Sequence, residues 1–189
     1  DAGGALGAAL LRVAKEQANG QAPYFDMKNS FLGNKYSDEA IEKVLKENEL
    51  VYEKLDSPDL SRKCAQLLAS GNSLGWFSGR MEFGPRALGH RSLLLDPRDA
   101  QILRKANVRL RRTEFMPFAP VVLSEYSKII FQTYKSEYTA EFMTMCYTTN
   151  KNWTLRLPAV IQELDSSARP QIIKKDVNEI YYNIIDSYR

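Results

Sequence analysis

Hydrophobic and polar residues follow two different periods along this chain. A helical period covers residues 3–18, 37–49 and 57–70 and two segments that begin at Asp96 and Asp176. Short apolar runs predict strands over residues 73–78, 91–95, 118–123 and 142–148, with weaker ones at 157–161 and 171–174. Residues 19–35 show neither period and form a connector. Because helices and strands alternate loosely, the pattern predicts an α/β or α+β sheet domain.

Residues with known capping preferences stand at the ends of the predicted helices. They mark the starts as Ser37, Ser57 with Pro58, Asp96 with Pro97, and Asp176 with Glu179. Gly71 ends the third helix. The apolar face of that helix is predicted to carry Leu60, Cys64, Leu67 and Leu68, and the helix after Asp96 turns Ile102, Leu103 and Ala106 inward.

The amino-acid composition indicates a globular domain and disfavours several classes of protein. The chain has 189 residues, 44% of them hydrophobic and 26% charged, which suits one domain with a sizeable core. No apolar run reaches the roughly 18–20 residues of a membrane span. Two cysteines are no disulfide framework, so we expect a reducing, cytoplasmic compartment. Two cysteines and one histidine are also too few ligands for a zinc site.

The net charge of +3 is concentrated in one segment. Residues 76–116 carry +5, whereas the remainder carries −2. The nine basic residues of this segment are Arg80, Arg86, Arg91, Arg98, Arg104, Lys105, Arg109, Arg111 and Arg112. Eight of the nine are arginine, whose planar fork of donors suits phosphate or carboxylate, so the bias favours an anion site over a solvated face.

The stretch GRMEFGPRALGHRSLLLDPR, residues 79–98, combines four of these arginines with a backbone that can bend. Gly79, Gly84 and Gly89 are five residues apart, and Pro85 stiffens the segment. Such a loop can present backbone N–H groups to an anion while arginines close around it. It matches neither the Walker A nor the dinucleotide pattern. A solvated basic loop is the alternative.

Several other residues allow both a structural and a functional interpretation. Asp96 could cap a helix whose N-terminus holds phosphate beside Arg98, or simply cap it. Asn107, Arg111 and Glu114 could share a ligand-facing side of the helix or form a charge-paired surface.

The same choice applies to the loop histidine and to two apolar or hydroxyl-bearing turns. His90 could be a general base or a neutral hydrogen-bonding group. Residues 116–120, MPFAP, could be a packed entry to the core or a wall for a flat group such as adenine. Ser166, Ser167 and Arg169 could form a turn or a third part of the anion site.

Three motifs together resemble the C-terminal domain of O-carbamoyltransferases. They are GWFSGRMEFGPRALGHRSLLLDPRD, NVRLRRTEFMPFAPVVL and SSARPQ, and the resemblance runs from about residue 67 to residue 188. The family includes enzymes that carbamoylate nodulation factors, aminoglycosides and cephamycin-type antibiotics. The opening residues, DAGG and LGAA, resemble the end of the preceding Kae1-like, ATPase-like module. The chain is therefore expected to be part of a longer protein.

The resemblance implies a fold, a division into domains and a reaction. Residues 1–35 would be a helical remnant of the Kae1-like domain and its connector, and residues 36–189 a YrdC-like domain with an open twisted mixed sheet flanked by helices. This domain would bind carbamoyl phosphate and ATP with Mg²⁺ and form carbamoyl-adenylate. The Kae1-like domain, in cis and with bound Fe²⁺ or another divalent metal, would pass the carbamoyl group to a hydroxyl of a small-molecule acceptor. Full transfer is not expected from this chain alone.

The resemblance also implies site residues. The catalytic arginines would be Arg80, Arg86, Arg91 and Arg98. The contacts to carbamoyl phosphate and ATP would be Gly84, Gly89, His90, Ser92, Asn107, Arg111, Arg112, Ser167 and Arg169. Asp1 would contribute to a metal in the full-length protein. Two departures stand out: Gln162–Arg169 is one residue longer than the usual pattern and lacks its His and Gly, and Met116 replaces an arginine.

Two other functions compete with this one. A basic α/β surface could bind RNA without catalysis, but aromatic residues for stacking are sparse in the basic segment, so nucleic acid is disfavoured. The chain could also fold into an inert module.

Overall fold

The structure is a computed structural model and describes residues 3–16, 27–112, 117–132 and 137–189, without the side chains of Leu103 and Glu137. The helices are α1 (Gly3–Glu16), α2 (Asp38–Glu47), α3 (Ser57–Ala69), α4 (Ala100–Arg109), α5 (Ser127–Ile130), α6 (Glu137–Glu141), α7 (Lys151–Thr154) and α8 (Glu179–Tyr188). The strands are β1 (Leu74–Phe77), β2 (Arg91–Leu94), β3 (Val121–Leu123), β4 (Tyr147–Thr148), β5 (Ser167–Ala168) and β6 (Gln171–Ile173). A 3-10 turn, Ser124–Tyr126, precedes α5.

The strands of the described residues pair in both senses, as a mixed α+β domain requires. β1 pairs antiparallel with β2, so Leu74 lies opposite Leu94 and Phe77 opposite Arg91. β3 runs parallel to β6, whereas β4 and β5 are antiparallel. The prediction of an α+β domain with mixed strands and flanking helices is confirmed.

Two buried hydrophobic clusters lie on either side of the parallel pair. One joins α3 and α8 to strands β1–β3 and includes Leu68, Leu94 and Ile184. The other lies under β4–β6 and includes Ile102, Phe131 and Ile172. Since β3 and β6 contribute to both, they tie the segment of residues 74–94 to the C-terminal half of the chain.

The helix starts are only partly where the caps predict them. Ser37 accepts the N–H of Ala40 at 3.2 Å and caps α2 as predicted. α4 instead begins at Ala100 with Asp99 as its cap, so the start predicted at Asp96 is wrong. The reason is local, because the Asp96 carboxylate binds the Arg98 side chain and N–H rather than the next turn.

Two further predictions about helices are corrected by the structure. α8 begins at Glu179 behind the cap Asn178, so the predicted capping box of Asp176 and Glu179 is wrong. On α3, Cys64 and Leu68 are buried as predicted, but Leu67 is exposed because it falls on the solvent edge of the stripe.

The apolar run at residues 157–161 is a sequence of turns, not a strand, although Ala159, Val160 and Ile161 are buried. A short buried apolar run does not by itself distinguish a strand from a packed turn. The strand predicted over residues 142–148 shortens to β4, since Met143 takes a positive φ of 53° and breaks the extended backbone.

α1 has no buried residue, and its assignment to a Kae1-like module stays a prediction. In the part of the chain that the structure describes, no helix has the length and apolar character to cross a bilayer. Cys64 is a buried free thiol and Cys146 an exposed one. A cytoplasmic location stays a prediction.

Candidate functional site

The base of the glycine-rich loop is organised around the buried side chain of Glu82. Its Oε1 accepts the backbone N–H groups of Leu88, His90 and Arg91 at 2.7, 2.8 and 3.1 Å. Glu82 is only 6% exposed. Burial by itself would raise the pKa of this carboxyl, but the N–H bonds outweigh that effect and leave the pKa below its ordinary value. These three donors therefore serve the loop itself and do not face a ligand.

Side chains from distant elements fix the carbonyl groups of the same loop base. Gln171 of β6 donates Nε2 to the Leu88 carbonyl at 2.8 Å. Trp76 of β1 donates Nε1 to the Gly89 carbonyl at 2.9 Å. Gly89 takes a φ of 97° and packs against the ring of Tyr181 in α8. The predicted contact residue Gly89 is thus part of the internal framework of the loop.

A cavity of about 370 Å³ opens beside this loop. Its polar lining includes Arg86 of the loop, Ser92 of β2 and Arg169, which lies between β5 and β6. Its apolar lining includes Leu95, Pro97, Leu110, Phe118, Val160 and Tyr188. The volume and the mixture of apolar walls with few polar groups are typical of small-molecule sites.

A second cavity of about 220 Å³ adjoins the first one. The two share Phe118, Ala119, Val160 and Arg169. The second is also lined by Cys146 and by Ser167, one of the predicted ligand contacts. We call the two cavities together the arginine cleft.

The two arginines of the cleft influence one another electrostatically. Burial, and then the positive charge of Arg86, lower the pKa of the Arg169 guanidinium. Two like charges in a partly desolvated cleft repel each other, and an anion bound beside them would relieve that repulsion. The side of the cleft with the two arginines would therefore favour a bound anion, whereas the lining of the smaller cavity also includes the acidic residue Asp165.

Of the predicted site residues, Arg86, Ser92, Ser167 and Arg169 line the cleft. The Ser92 hydroxyl already accepts the N–H of Gly89 at 2.9 Å. Ser167 lies on β5, and its N–H binds the Asp165 carboxylate at 2.9 Å. Ser166, with a φ of 54°, forms the turn before β5. Gly84, with a φ of 102°, lies in the exposed part of the loop beside Arg86.

Two of the other predicted catalytic arginines, Arg80 and Arg91, contact protein groups outside the cleft lining. Arg80 donates to the carbonyl of Gly33 at 3.0 Å. Arg91 lies 3.6 Å from the centre of the Phe77 ring and donates to the carbonyl of Ser78 at 2.6 Å. Their assignment as catalytic residues stays a prediction.

Arg98 is held at the rim of the cleft. It forms a bidentate pair with Asp96, Nε to Oδ1 at 3.0 Å and Nη2 to Oδ2 at 2.6 Å. Its guanidinium also lies 5.6 Å from the ring centre of Tyr188, which lines the cleft. Burial and the nearby Asp96 carboxylate raise the pKa of Tyr188 to about 12, so its hydroxyl stays protonated at neutral pH. A role of Arg98 in catalysis stays a prediction.

His90 is held by the connector rather than by the cleft. Its ring stacks on Phe31 at a centroid distance of 3.7 Å, and Nδ1 lies 2.5 Å from the Arg80 carbonyl oxygen. Backbone bonds between Gly33 and Met81 and between Phe83 and Ser30 lay the connector along the loop. This contact gives the residues before α2 a share in the shape of the loop.

The ligand contacts predicted on and after α4 lie in different surroundings. Asn107 has a buried Oδ1 with no hydrogen-bond partner among the described residues. Arg111 is exposed and takes a φ of 52°. The Arg112 guanidinium lies 5.0 Å from the ring centre of Phe118, which lines both parts of the cleft. Asp1, Glu114 and Met116 lie outside the described residues.

The sequence did not mark Glu82 as a contributor to the site, and it left the role of Phe118 open. Glu82 was visible only as one acid in a basic segment, and its isolation among arginines was the signal that could have marked it. Phe118 was predicted as core or as a wall for a flat group, and it is half-buried and lines both parts of the cleft.

The bonds to Glu82 give the stability of the fold a specific dependence on pH. Since its folded-state pKa lies below the unfolded value of 4.5, Glu82 contributes stability above that value and loses it as the pH falls through the folded-state pKa. We expect Glu82→Gln to be less stable than the parent at pH 7. The difference should shrink as the pH is lowered from about 5 towards 3. Urea midpoints at pH 7, 5, 4 and 3 measure it, and a constant difference would contradict the expectation.

Comparison with known proteins gives one family for most of the chain. A family described as Carbamoyltransferase C-terminus matches residues 65–189. The chain is also 34% identical to Nodulation protein NolNO of Sinorhizobium fredii, over 100% of this chain and 28% of the relative. An uncharacterised protein of Methanocaldococcus jannaschii is 34% identical over 100% of this chain and 31% of its own length. The chain thus spans about a third of the curated relatives it matches.

Proposed function

The chain belongs to the carbamoyltransferase C-terminus family, and from that premise we propose that its arginine cleft binds carbamoyl phosphate and ATP and forms carbamoyl-adenylate. The observation that carries this proposal is the pair Arg86 and Arg169 on one partly apolar cleft. Both ligands bring several negative charges, and fixed guanidinium groups neutralise such charges without reorganisation.

The chemistry of adenylation suits a site built from arginines. An oxygen of the carbamate that carbamoyl phosphate yields forms a bond to the α-phosphorus of ATP, while the bond from that phosphorus to the oxygen bridging the β-phosphate breaks and pyrophosphate leaves. Carbamoyl phosphate takes up water and loses its phosphate as inorganic phosphate. No protein nucleophile is needed, because positioning and charge neutralisation do most of the work in phosphoryl transfer.

The apolar walls have a separate role in the proposal. Phe118 and Val160 border both parts of the cleft, and Leu95 and Pro97 border the larger one. Such surfaces can pack against the adenine base while the arginines hold the phosphates. Arg112, stacked on Phe118, would fix the orientation of that ring.

The proposal assigns the metal ions to ATP and to the Kae1-like domain rather than to side chains of this chain. Among the described residues, no three His, Cys, Asp or Glu side chains cluster to hold a metal ion, so Mg²⁺ is proposed as the counter-ion that accompanies the ATP phosphates. Transfer to the hydroxyl of an acceptor is assigned to a Kae1-like domain of the longer protein, with Fe²⁺ or another divalent ion.

Exchange of labelled pyrophosphate into ATP tests the adenylation step. We expect exchange that requires carbamoyl phosphate, because only reversible formation of carbamoyl-adenylate returns pyrophosphate to ATP. Labelling of Cys146 by a thiol reagent provides a separate measure of binding, since this thiol lines the smaller cavity and is exposed. ATP should slow the labelling of Cys146. The variant Cys146→Ser measures the labelling of the buried Cys64, which is then subtracted.

The two measurements separate binding from chemistry. Protection of Cys146 without exchange would overturn adenylation but leave a nucleotide site. If ATP gives no protection of Cys146 and no exchange is detected, the assignment of the cleft is overturned. Binding of single-stranded RNA that weakens steeply with salt would then favour the nucleic-acid alternative.

A further inference from the structure

We infer that Glu82 is a positioning residue for Arg86: its buried carboxylate closes the loop of residues 83–87 and fixes how Arg86 enters the cleft. This inference rests on the proposed function of the arginine cleft. Glu82 does not line the cleft and is not assigned a catalytic role.

The exposed part of the loop has little packing to hold it in place. Phe83, Gly84, Pro85 and Ala87 are all exposed, and Arg86 is half-buried. The residues at the two ends, Glu82 and Leu88, are buried. The bonds at the base of the loop, together with the bond from the Phe83 N–H to the Ser30 carbonyl, therefore contribute strongly to the conformation of the exposed residues.

Glu82 provides most of the connection at that base. Its bond to the Leu88 N–H directly joins the two residues that flank the loop. The bonds to the His90 and Arg91 N–H groups align the chain that follows with β2. All three bonds use the single atom Oε1, so one oxygen links the start of the loop to three residues at and beyond its end.

The charge of Glu82 is balanced in an unusual way. No ion pair to Glu82 is present among the described residues, and its buried charge is stabilised by backbone N–H groups. Bonds to a charged acceptor are stronger than those to a neutral one. Glu82 is therefore a firm anchor for the loop that carries Arg86.

A double-mutant cycle separates positioning from general support of the fold. The variants are Glu82→Ala, Arg86→Ala and both together, each titrated calorimetrically with ATP and with carbamoyl phosphate. We expect Glu82→Ala to weaken binding about 5- to 10-fold, since small misplacements of a binding group are costly. In the Arg86→Ala background the same change should cost less than about 2-fold.

Two conservative variants strengthen the test. Glu82→Gln keeps an oxygen that can accept all three bonds, and should bind within about 3-fold of the parent. Glu82→Asp keeps the charge but withdraws the oxygen by one methylene, and should resemble Glu82→Ala. If Glu82→Ala does not fold, the cycle is run with Glu82→Asp and has the same interpretation.

The outcomes distinguish the inference from the proposed function beneath it. If Arg86→Ala binds both ligands as tightly as the parent, the inference about Glu82 fails, and the assignment of the cleft fails as well if Arg169→Ala is also unchanged. If Arg86→Ala weakens binding but the two changes add, Glu82 acts only through the general stability of the fold and the inference is overturned.

Discussion

Replacing Gly89 with alanine is expected to lower the free energy of unfolding by about 4 kcal/mol. Two costs combine at this position. The φ of 97° is unfavourable for a residue with a side chain, at roughly 1–3 kcal/mol. A Cβ would also lie 2.6 Å from Cε1 of Tyr181 and closer still to Cδ1, and overpacking of this kind costs roughly 1–3 kcal/mol. Tyr181 is 1% exposed and has no room to move away.

Two other glycines provide matched controls for the separate costs. Gly71 has a φ of 80°, but a Cβ added there would have nothing within 4 Å, so Gly71→Ala should show the backbone cost alone. Gly75 has an ordinary φ and open space, so Gly75→Ala should be neutral or slightly stabilising. Urea unfolding of the three variants gives the comparison. Equal effects of Gly89→Ala and Gly71→Ala would show that Tyr181 does not hold the loop.

Replacing either arginine of the cleft is expected to weaken binding of carbamoyl phosphate and ATP about 10- to 100-fold. A hydrogen bond to a charged group contributes roughly 1.5–3 kcal/mol, and about 1.4 kcal/mol corresponds to a factor of ten. Titration calorimetry of the folded variants measures the loss.

Controls for this prediction come from arginines placed elsewhere in the structure. Arg62→Ala removes the same charge from the exposed side of α3, where Arg62 pairs with Asp59, and should leave affinity within about 2-fold. Arg98→Ala tests the rim, because Arg98 binds Asp96 next to Tyr188. A loss for Arg98→Ala equal to that for Arg86→Ala would move the centre of the site towards the rim. Unchanged affinity in both Arg86→Ala and Arg169→Ala would refute the assignment of the cleft as the binding site.

Much of the local structure follows from the sequence. The caps of α2 and the stripe on α3 arise from interactions within one or two turns, and both are predicted correctly apart from Leu67. The starts of α4 and α8 are not, because Asp96 and Asp176 are plausible caps and local preference does not choose among neighbouring ones. At Asp96 the choice is made by a side-chain bond to Arg98.

The candidate site divides in the same way. The composition of the arginine-rich, glycine-rich segment favours an anion site over a solvated basic loop, because the planar fork of arginine suits phosphate or carboxylate. Composition treats all of its arginines alike, however. The structure separates Arg86, which lines the cleft, from Arg80 and Arg91, which donate to carbonyl groups of the protein.

The sequence by itself determined the α+β class, the charged segment and the motifs that carry the family resemblance, because each of these depends on residues close together in the chain. Only the tertiary structure decided that Arg169 and Arg86 line the same cleft, since that depends on how β5 and β6 pack against the loop. The tertiary structure also decided which groups Glu82 binds. Its partners are backbone N–H groups, which every residue except proline carries and which therefore leave no mark in a sequence.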